Sequence, residues 1–159
     1  APPNSWWIDT GVSIHITNSM QGYLISRKLN KGERTITIGN GIEVDAEAIG
    51  ILRLILDSGF ILDLVNTVYV TIFTRNLISV SQFDSCGYEF KFRNNRVSLF
   101  HYFYTIGSGT LYGNLYSLNL DSTCAQSLLS FNENDFVNKK RKRVNKNSSM
   151  LWHKCLGHI

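Results

Sequence analysis

The 159-residue sequence predicts an all-β domain with one short helix near the end of that domain. Between residues 6 and 120, short runs rich in β-branched and aromatic side chains alternate with turn signals, which is typical of strands. Both prolines lie at the N-terminus, so no predicted strand is interrupted by one. The apolar content of 43% is that of a globular protein rather than a disordered one.

Three hairpins are predicted from the turn residues. Gly39-Asn40-Gly41 separates two alternating runs, residues 35–38 and 42–46, and Asn-Gly between alternating strands is the strongest local hairpin signal. A second hairpin is predicted around Asp57-Ser58-Gly59, and a third around Asn94-Asn95. Most of the predicted domain is therefore built from antiparallel neighbours.

The single helix is predicted where the alternation breaks down, over residues 76–83. Serines at positions 79 and 81 can cap the start of a helix, and Gly87 can end it. Alternation resumes at residue 88, so the helix is short.

The charge of the chain is unevenly distributed. Residues 1–138 carry nine basic and twelve acidic side chains, whereas residues 139–159 carry seven basic and no acidic ones. Residues 121–149 are rich in Ser, Asn and Lys and are interpreted as a polar, basic linker, with residues 150–159 a separate apolar segment. The basic run at 139–143 fits a solvated tether best; nucleic-acid binding, nuclear import and a cleavage linker are the alternatives.

The cysteines and the hydropathy suggest where the chain resides. Cys86, Cys124 and Cys155 are odd in number and widely spaced, which argues against a disulfide framework and favours a reducing compartment. No apolar run has the length of a membrane span, and the N-terminus lacks a signal-peptide pattern. We therefore expect a cytoplasmic protein with no membrane partner.

The candidate catalytic residue is Asp9, in the triplet Asp9-Thr10-Gly11 that follows an apolar run. An aspartic protease presents its carboxylate in this way, with a Gly that lets the backbone approach closely. Two carboxylates must share one proton around a water, so a chain with one lobe needs a second copy and a homodimer. The alternative is a structural Asp at the end of a strand.

Asp57 and His15 are two further polar residues with catalytic side-chain chemistry. Asp57-Ser58-Gly59 also follows an apolar run, but strands flank it on both sides and it is interpreted as a tight turn rather than the partner carboxylate. His15 alternates with Ile14 and Ile16 and is interpreted as a strand histidine with its hydrogen bonds satisfied.

The order of these motifs resembles the protease region of copia-type LTR retrotransposon Gag-Pol polyproteins. The segments that carry the resemblance are residues 7–17, 38–41, 66–70, 76–83 and 113–118. Residues 151–158 resemble the start of the pre-integrase region that follows the protease. The resemblance covers about residues 6–120 and 150–159.

The resemblance implies a retropepsin-like closed β-barrel or sandwich lobe over residues 6–120. It implies that Asp9 is catalytic, that Thr10 and Gly11 support the catalytic loop, and that Gly39-Asn40-Gly41 is the tip of a flap over the substrate. Ile78 is then expected to line the substrate cleft. The implied function is self-processing of the polyprotein by an aspartic endopeptidase, in virus-like particles in the cytoplasm.

The same resemblance implies half of a zinc site at the C-terminal end. His153 and His158 take the places of the two histidines of a His-His-Cys-Cys site, and the cysteine pair is expected further along the polyprotein. No cofactor is expected for proteolysis itself. A catalytically inactive remnant or interaction module, and a nucleic-acid-binding part of an integrase in the nucleus, are the alternative functions.

Overall fold

The computed structural model describes residues 1–122, which contain twelve strands and one helix. The strands are β1 Trp6–Asp9, β2 Ile16–Thr17, β3 Tyr23–Lys28, β4 Thr35–Thr37, β5 Glu43–Asp45, β6 Ala48–Ile55, β7 Ile61–Tyr69, β8 Asn76–Ser79, β9 Tyr88–Arg93, β10 Arg96–His101, β11 Tyr104–Tyr112 and β12 Leu115–Leu118. The helix, α1, spans Val80–Ser85. The predicted all-β fold with one short helix is confirmed, but the helix begins only at Val80 because residues 76–79 pair with β1 as strand β8.

Ten of the strands form one sheet in the order β3-β6-β7-β2-β8-β1-β12-β11-β10-β9. The other two, β4 and β5, pair with each other and form the hairpin predicted around Gly39-Asn40-Gly41, which the resemblance implies to be a flap. Most of the predicted linker, residues 123–149, and the segment 150–159 with its histidines lie outside the described residues.

The turns follow the chemistry of their residues. Gly41 has a φ of +81°, and Asn94 and Asn95 have φ of 51° and 62°, the left-handed conformation that tight hairpin turns require. Ser79 is the N-cap of α1 and accepts a hydrogen bond from the backbone N–H of Gln82. These are the turn and cap residues on which the sequence predictions rested.

The apolar side chains form two buried clusters. The larger contains side chains from β1, β6, β7 and β8, from α1 and from the C-terminal hairpins, with Leu52, Leu62, Leu64 and Leu99 almost fully buried. The smaller lies around β2, with Ile16 and Val68 fully buried. Strand β1 is thus anchored by a core that extends beneath most of the sheet.

Strand β1 has a neighbour on each side. It pairs in parallel with β8, which places Asp9 opposite Ser79, and antiparallel with β12, which places Trp7 opposite Ser117. Trp6 and Ile8 are buried in alternation with the half-buried Trp7 and Asp9. A strand held on both edges gives its terminal residue a well-defined position.

Ile78 is fully buried (0% exposed) in the larger cluster. Its expected role in lining the substrate cleft stays a prediction. Strand β8 lies between β2 and β1 in the sheet, and its alternation directs Ile78 into the core while the half-buried Leu77 packs against the smaller cluster.

In the part of the chain that the structure describes, no helix is long and apolar enough to cross a membrane.

Candidate functional site

Asp9 stands at the last position of β1, where the buried strand gives way to an exposed loop. Its side chain is half-buried, and the following Thr10 and Gly11 are exposed. The backbone N–H of Gly11 donates to Asp9 Oδ1 at 2.6 Å, a short, charge-assisted contact. A Cβ on Gly11 would lie 3.1 Å from the same oxygen, so glycine lets the loop fold tightly against the carboxylate.

Ser79 attaches this loop to the rest of the domain. Its hydroxyl donates to the backbone oxygen of Val12 at 2.8 Å, and its backbone N–H donates to His15 Nδ1 at 3.0 Å. The same hydroxyl caps α1 by accepting from the N–H of Gln82 at 3.3 Å. Because Ser79 also lies opposite Asp9 in the parallel pair, one residue links the strand that carries Asp9, the loop and the helix.

His15 is the buried member of this network. It is 2% exposed, and its ring meets the Phe83 ring edge to face at a centroid distance of 5.1 Å. Burial lowers the pKa of His15 to about 3, so the ring is neutral at physiological pH and Nδ1 is free to accept from Ser79. His15 has a hydrogen-bond partner as expected, but it immediately precedes β2 and does not lie within a strand.

The hairpin of β4 and β5 carries the predicted flap tip. Thr35 pairs with Asp45 and Thr37 with Glu43, and the tip closes with a hydrogen bond from the Gly41 N–H to the Ile38 oxygen at 2.8 Å. Asn40 Oδ1 accepts from the Ile42 N–H at 3.2 Å. No heavy atom of residues 1–122, other than the tip's own chain neighbours, lies within 4 Å of a Cβ built on Gly39 or Gly41.

A cavity of about 170 Å³ lies between the loop after Asp9 and the strand that leads into the flap. Its walls also include a residue of β7 and a residue of α1. The lining residues are Ser13, Ile14, Arg34, Thr35, Ile36, Asn66 and Gln82.

The structure places Asp57 in the turn between β6 and β7, away from the loop that holds Asp9. Its side chain is exposed, and its backbone N–H donates to the Asn119 oxygen at 3.1 Å. The neighbouring Ser58 hydroxyl donates to the Ile106 oxygen, and Gly59 has a φ of +88°. These contacts belong to a structural turn, and within residues 1–122 none of the hydrogen bonds joins Asp57 to Asp9.

Metal binding has no candidate in the described region. Residues 1–122 contain no group of three or more His, Cys, Asp or Glu side chains placed to hold a metal ion. The predicted half-site, His153 and His158, lies outside the described residues. The zinc prediction therefore stays a prediction.

Sequence reasoning missed several residues around the loop. Ser79 was identified only as a helix cap, and Asn66 and Gln82 gave no signal because their roles depend on neighbours distant in sequence. Asn66 has a φ of 56° within β7, beside a register shift opposite residues 50–52 of β6. Such a bulge is not readable from a run of β-branched residues.

Comparison with known protein families places this chain. The model of the family described as "Pol polyprotein, beta-barrel domain" matches residues 6–88, which include Asp9, the β4–β5 hairpin, the cavity and α1. No curated protein and no solved structure matches the sequence.

Proposed function

Because this chain belongs to the family of Pol polyprotein β-barrel domains, we propose that it is the aspartic endopeptidase of a copia-type retrotransposon polyprotein, active as a homodimer. The observation that carries the proposal is the setting of Asp9. Its carboxylate ends a strand held on both edges, and it is half-buried and bonded to the N–H of Gly11. That setting suits a carboxylate whose position must be fixed while it remains open to substrate.

The homodimer follows from the need for a second carboxylate. Aspartic catalysis uses two carboxyl groups that share a proton, and the other candidate in this chain, Asp57, lies in the β6–β7 turn. A C2 axis close to Asp9 would bring the two copies of the loop together, since a two-fold interface uses the same surface patch from both subunits. Each chain then supplies one Asp9 and one flap.

The proposed reaction is hydrolysis by an activated water. One Asp9 carboxylate takes a proton from the water, whose oxygen bonds to the scissile carbonyl carbon, while the protonated Asp9 of the partner subunit donates to the carbonyl oxygen. The tetrahedral intermediate collapses when the first Asp9 passes its new proton to the leaving nitrogen, the C–N bond breaks, and the hydroxyl proton returns to Asp9 of the partner subunit. Closure of the two flap tips, Gly39-Asn40-Gly41, excludes bulk water during these steps.

The decisive experiment compares two aspartates that precede a similar turn. Asp9→Asn keeps the size of the side chain but removes the acid–base function, so we expect hydrolysis of a peptide library in mildly acidic buffer to fall by at least about a hundredfold. The matched control, Asp57→Asn, changes an exposed turn residue and should leave the rate within about twofold.

The oligomeric state decides how a negative result is interpreted. Sedimentation at micromolar concentration shows whether the protein is a dimer under the assay conditions. A verified dimer that cleaves no peptide contradicts the proposal, as does cleavage that survives Asp9→Asn. Activity that rises with the square of protein concentration below the dimerisation constant supports it.

A further inference from the structure

We propose that the cavity beside the flap stem binds an acidic side chain of the peptide substrate, and that Arg34 selects for it. This inference rests on the proposed function and names its substrate preference. It is supported by the position of the cavity, its size, the chemistry of its walls and the local backbone geometry that forms one wall.

The cavity lies where an extended peptide would pass. Ser13 and Ile14 are the fourth and fifth residues after Asp9, and residues 34–36 lead into the flap hairpin. A substrate held between the Asp9 loop and the flap therefore runs past the mouth of the cavity. A volume of about 170 Å³ is below the roughly 300 Å³ of pockets for drug-sized ligands, so it suits one side chain.

The walls offer hydrogen-bond donors and one cation. Arg27 and Arg53 form ion pairs with Glu33 and Asp63, whereas Arg34 forms none within residues 1–122. The side chains of Ser13, Thr35 and Asn66 make no hydrogen bond there either, and among the described residues no carboxylate lines the cavity. A site with an unpaired guanidinium and no negative charge favours a carboxylate.

One wall of the cavity is built by a local departure from regular strand geometry. At the bulge in β7, Asn66 adopts a φ of 56°, and the Val65 oxygen is left to accept from Gln82 Nε2 at 2.9 Å. A non-glycine residue at positive φ carries a cost and is found disproportionately at binding sites. The bulge directs Asn66 to the cavity, and α1 contributes Gln82.

The environment of Gln82 indicates that the preferred ligand is a carboxylate rather than a carboxamide. Its Oε1 is buried and has no hydrogen-bond partner within the described residues, so an accessible Oε1 would favour a donor such as the amide of Gln. That oxygen exposes less than 1 Å² of surface, whereas Arg34 is exposed at the mouth. An entering side chain therefore meets the guanidinium and not the amide oxygen.

Symmetry makes the prediction more specific. A C2 dimer contains the cavity twice, once on each side of the scissile bond. We therefore expect the acidic preference at two substrate positions, placed on opposite sides of the cleaved bond at similar distances from it.

The experiment measures the cleavage of a position-scanned peptide library by the full chain at about pH 6, where free Glu, with an ordinary pKa of about 4.3, is ionised. At the two positions we expect Glu over Gln by about two- to fivefold at low salt, the range of an exposed ion pair. The preference should shrink in about 0.5 M NaCl, because salt screens exposed charges. Arg34→Gln should abolish it, and Arg34→Glu should reverse it in favour of Lys.

The control is Arg96→Gln, which removes an exposed arginine on β10, outside the cavity walls, and should keep the Glu preference. The same peptides are also titrated into the Asp9→Asn protein, with fluorescence anisotropy reporting binding. Cleavage with equal use of Glu and Gln, or a preference that survives Arg34→Gln, overturns the inference while the proposed function stands. If a verified dimer does not cleave, but Arg34-dependent binding of Glu peptides persists, the proposed function fails and the binding site stands.

Discussion

Replacement of the buried His15 by asparagine should remove the contribution of this side chain to the pH dependence of the free energy of unfolding. Asparagine does not titrate in this range, and its Oδ1 lies close enough to the position of Nδ1 to accept from the Ser79 N–H. We therefore expect His15→Asn to fold as the native chain does at neutral pH and to differ from it in acid.

The size of the effect follows from the two pKa values. Burial lowers the pKa of His15 to about 3, from 6.5 in the unfolded chain, so the unfolded state binds the proton more tightly. The stabilisation by neutral His15 is complete above pH 6.5 and is lost as the pH falls towards 3, by roughly 1.4 kcal/mol per pH unit. Between pH 7 and pH 5 the native chain loses roughly 2 kcal/mol through this group.

The assay is urea unfolding at pH 7, 6 and 5, followed by tryptophan fluorescence, with the buried Trp6 as one reporter. The free energy of unfolding of His15→Asn, relative to the native chain, should rise by roughly 2 kcal/mol from pH 7 to pH 5. His15→Leu, which leaves the Ser79 N–H without its acceptor, should cost about 1–3 kcal/mol already at pH 7. A difference between His15→Asn and the native chain that stays constant with pH refutes the reasoning.

Two further predictions compare matched positions in the fold by urea unfolding. Gly50→Ala should destabilise the domain by roughly 3 kcal/mol or more, because the new Cβ would lie 2.0 Å from the backbone oxygen of Ile25. A Cβ at Gly39 has no such contact within 4 Å, so Gly39→Ala should change the free energy of unfolding by less than about 0.5 kcal/mol. Equal effects would show that the β3–β6 contact is looser than described. Leu64→Ala removes a fully buried side chain and should cost about 2–5 kcal/mol, while Ile61→Ala on the same strand, 44% exposed, should cost less than about 1 kcal/mol. A small loss of stability for Leu64→Ala would mean that neighbouring core side chains move into the space that the leucine vacates.

The parts of the fold that were predictable are those specified by neighbouring residues. The hairpins at residues 39–41, 57–59 and 94–95 and the cap at Ser79 each depend on a few adjacent side chains, and all are present. Strand β11 gave no clear signal because Gly107 and Gly109 interrupt it. Both glycines lie against packed neighbours, since a Cβ at Gly109 would lie 2.8 Å from the backbone oxygen of Ser117, and one at Gly107 would lie 2.6 Å from the end of the Leu56 side chain.

The residue types of the candidate site were predictable from the sequence, but the contacts from distant residues that hold the site in place were not. The residues Asp9-Thr10-Gly11 lie in one turn, so their sequence alone indicates the geometry that Gly11 and Asp9 Oδ1 adopt. The contacts of Ser79 with the Asp9 loop depend on the parallel pairing of β1 with β8, which joins segments about 70 residues apart in the sequence. The burial of Ile78 could not be predicted for the same reason, because it depends on the strands on either side of β8.

The pairing of β12 with β1 has a consequence for the timing of synthesis. Trp7 lies opposite Ser117, about 110 residues later, and closing so long a loop is slow. A growing chain emerges with its N-terminus first, so the strand that carries Asp9 waits for its second neighbour until the last strand of the sheet has been made. Under the proposed function, in which the protease is part of its own substrate, this order of synthesis delays activity, because the strand that carries Asp9 gains its second neighbour only after residues 115–118 have been synthesised.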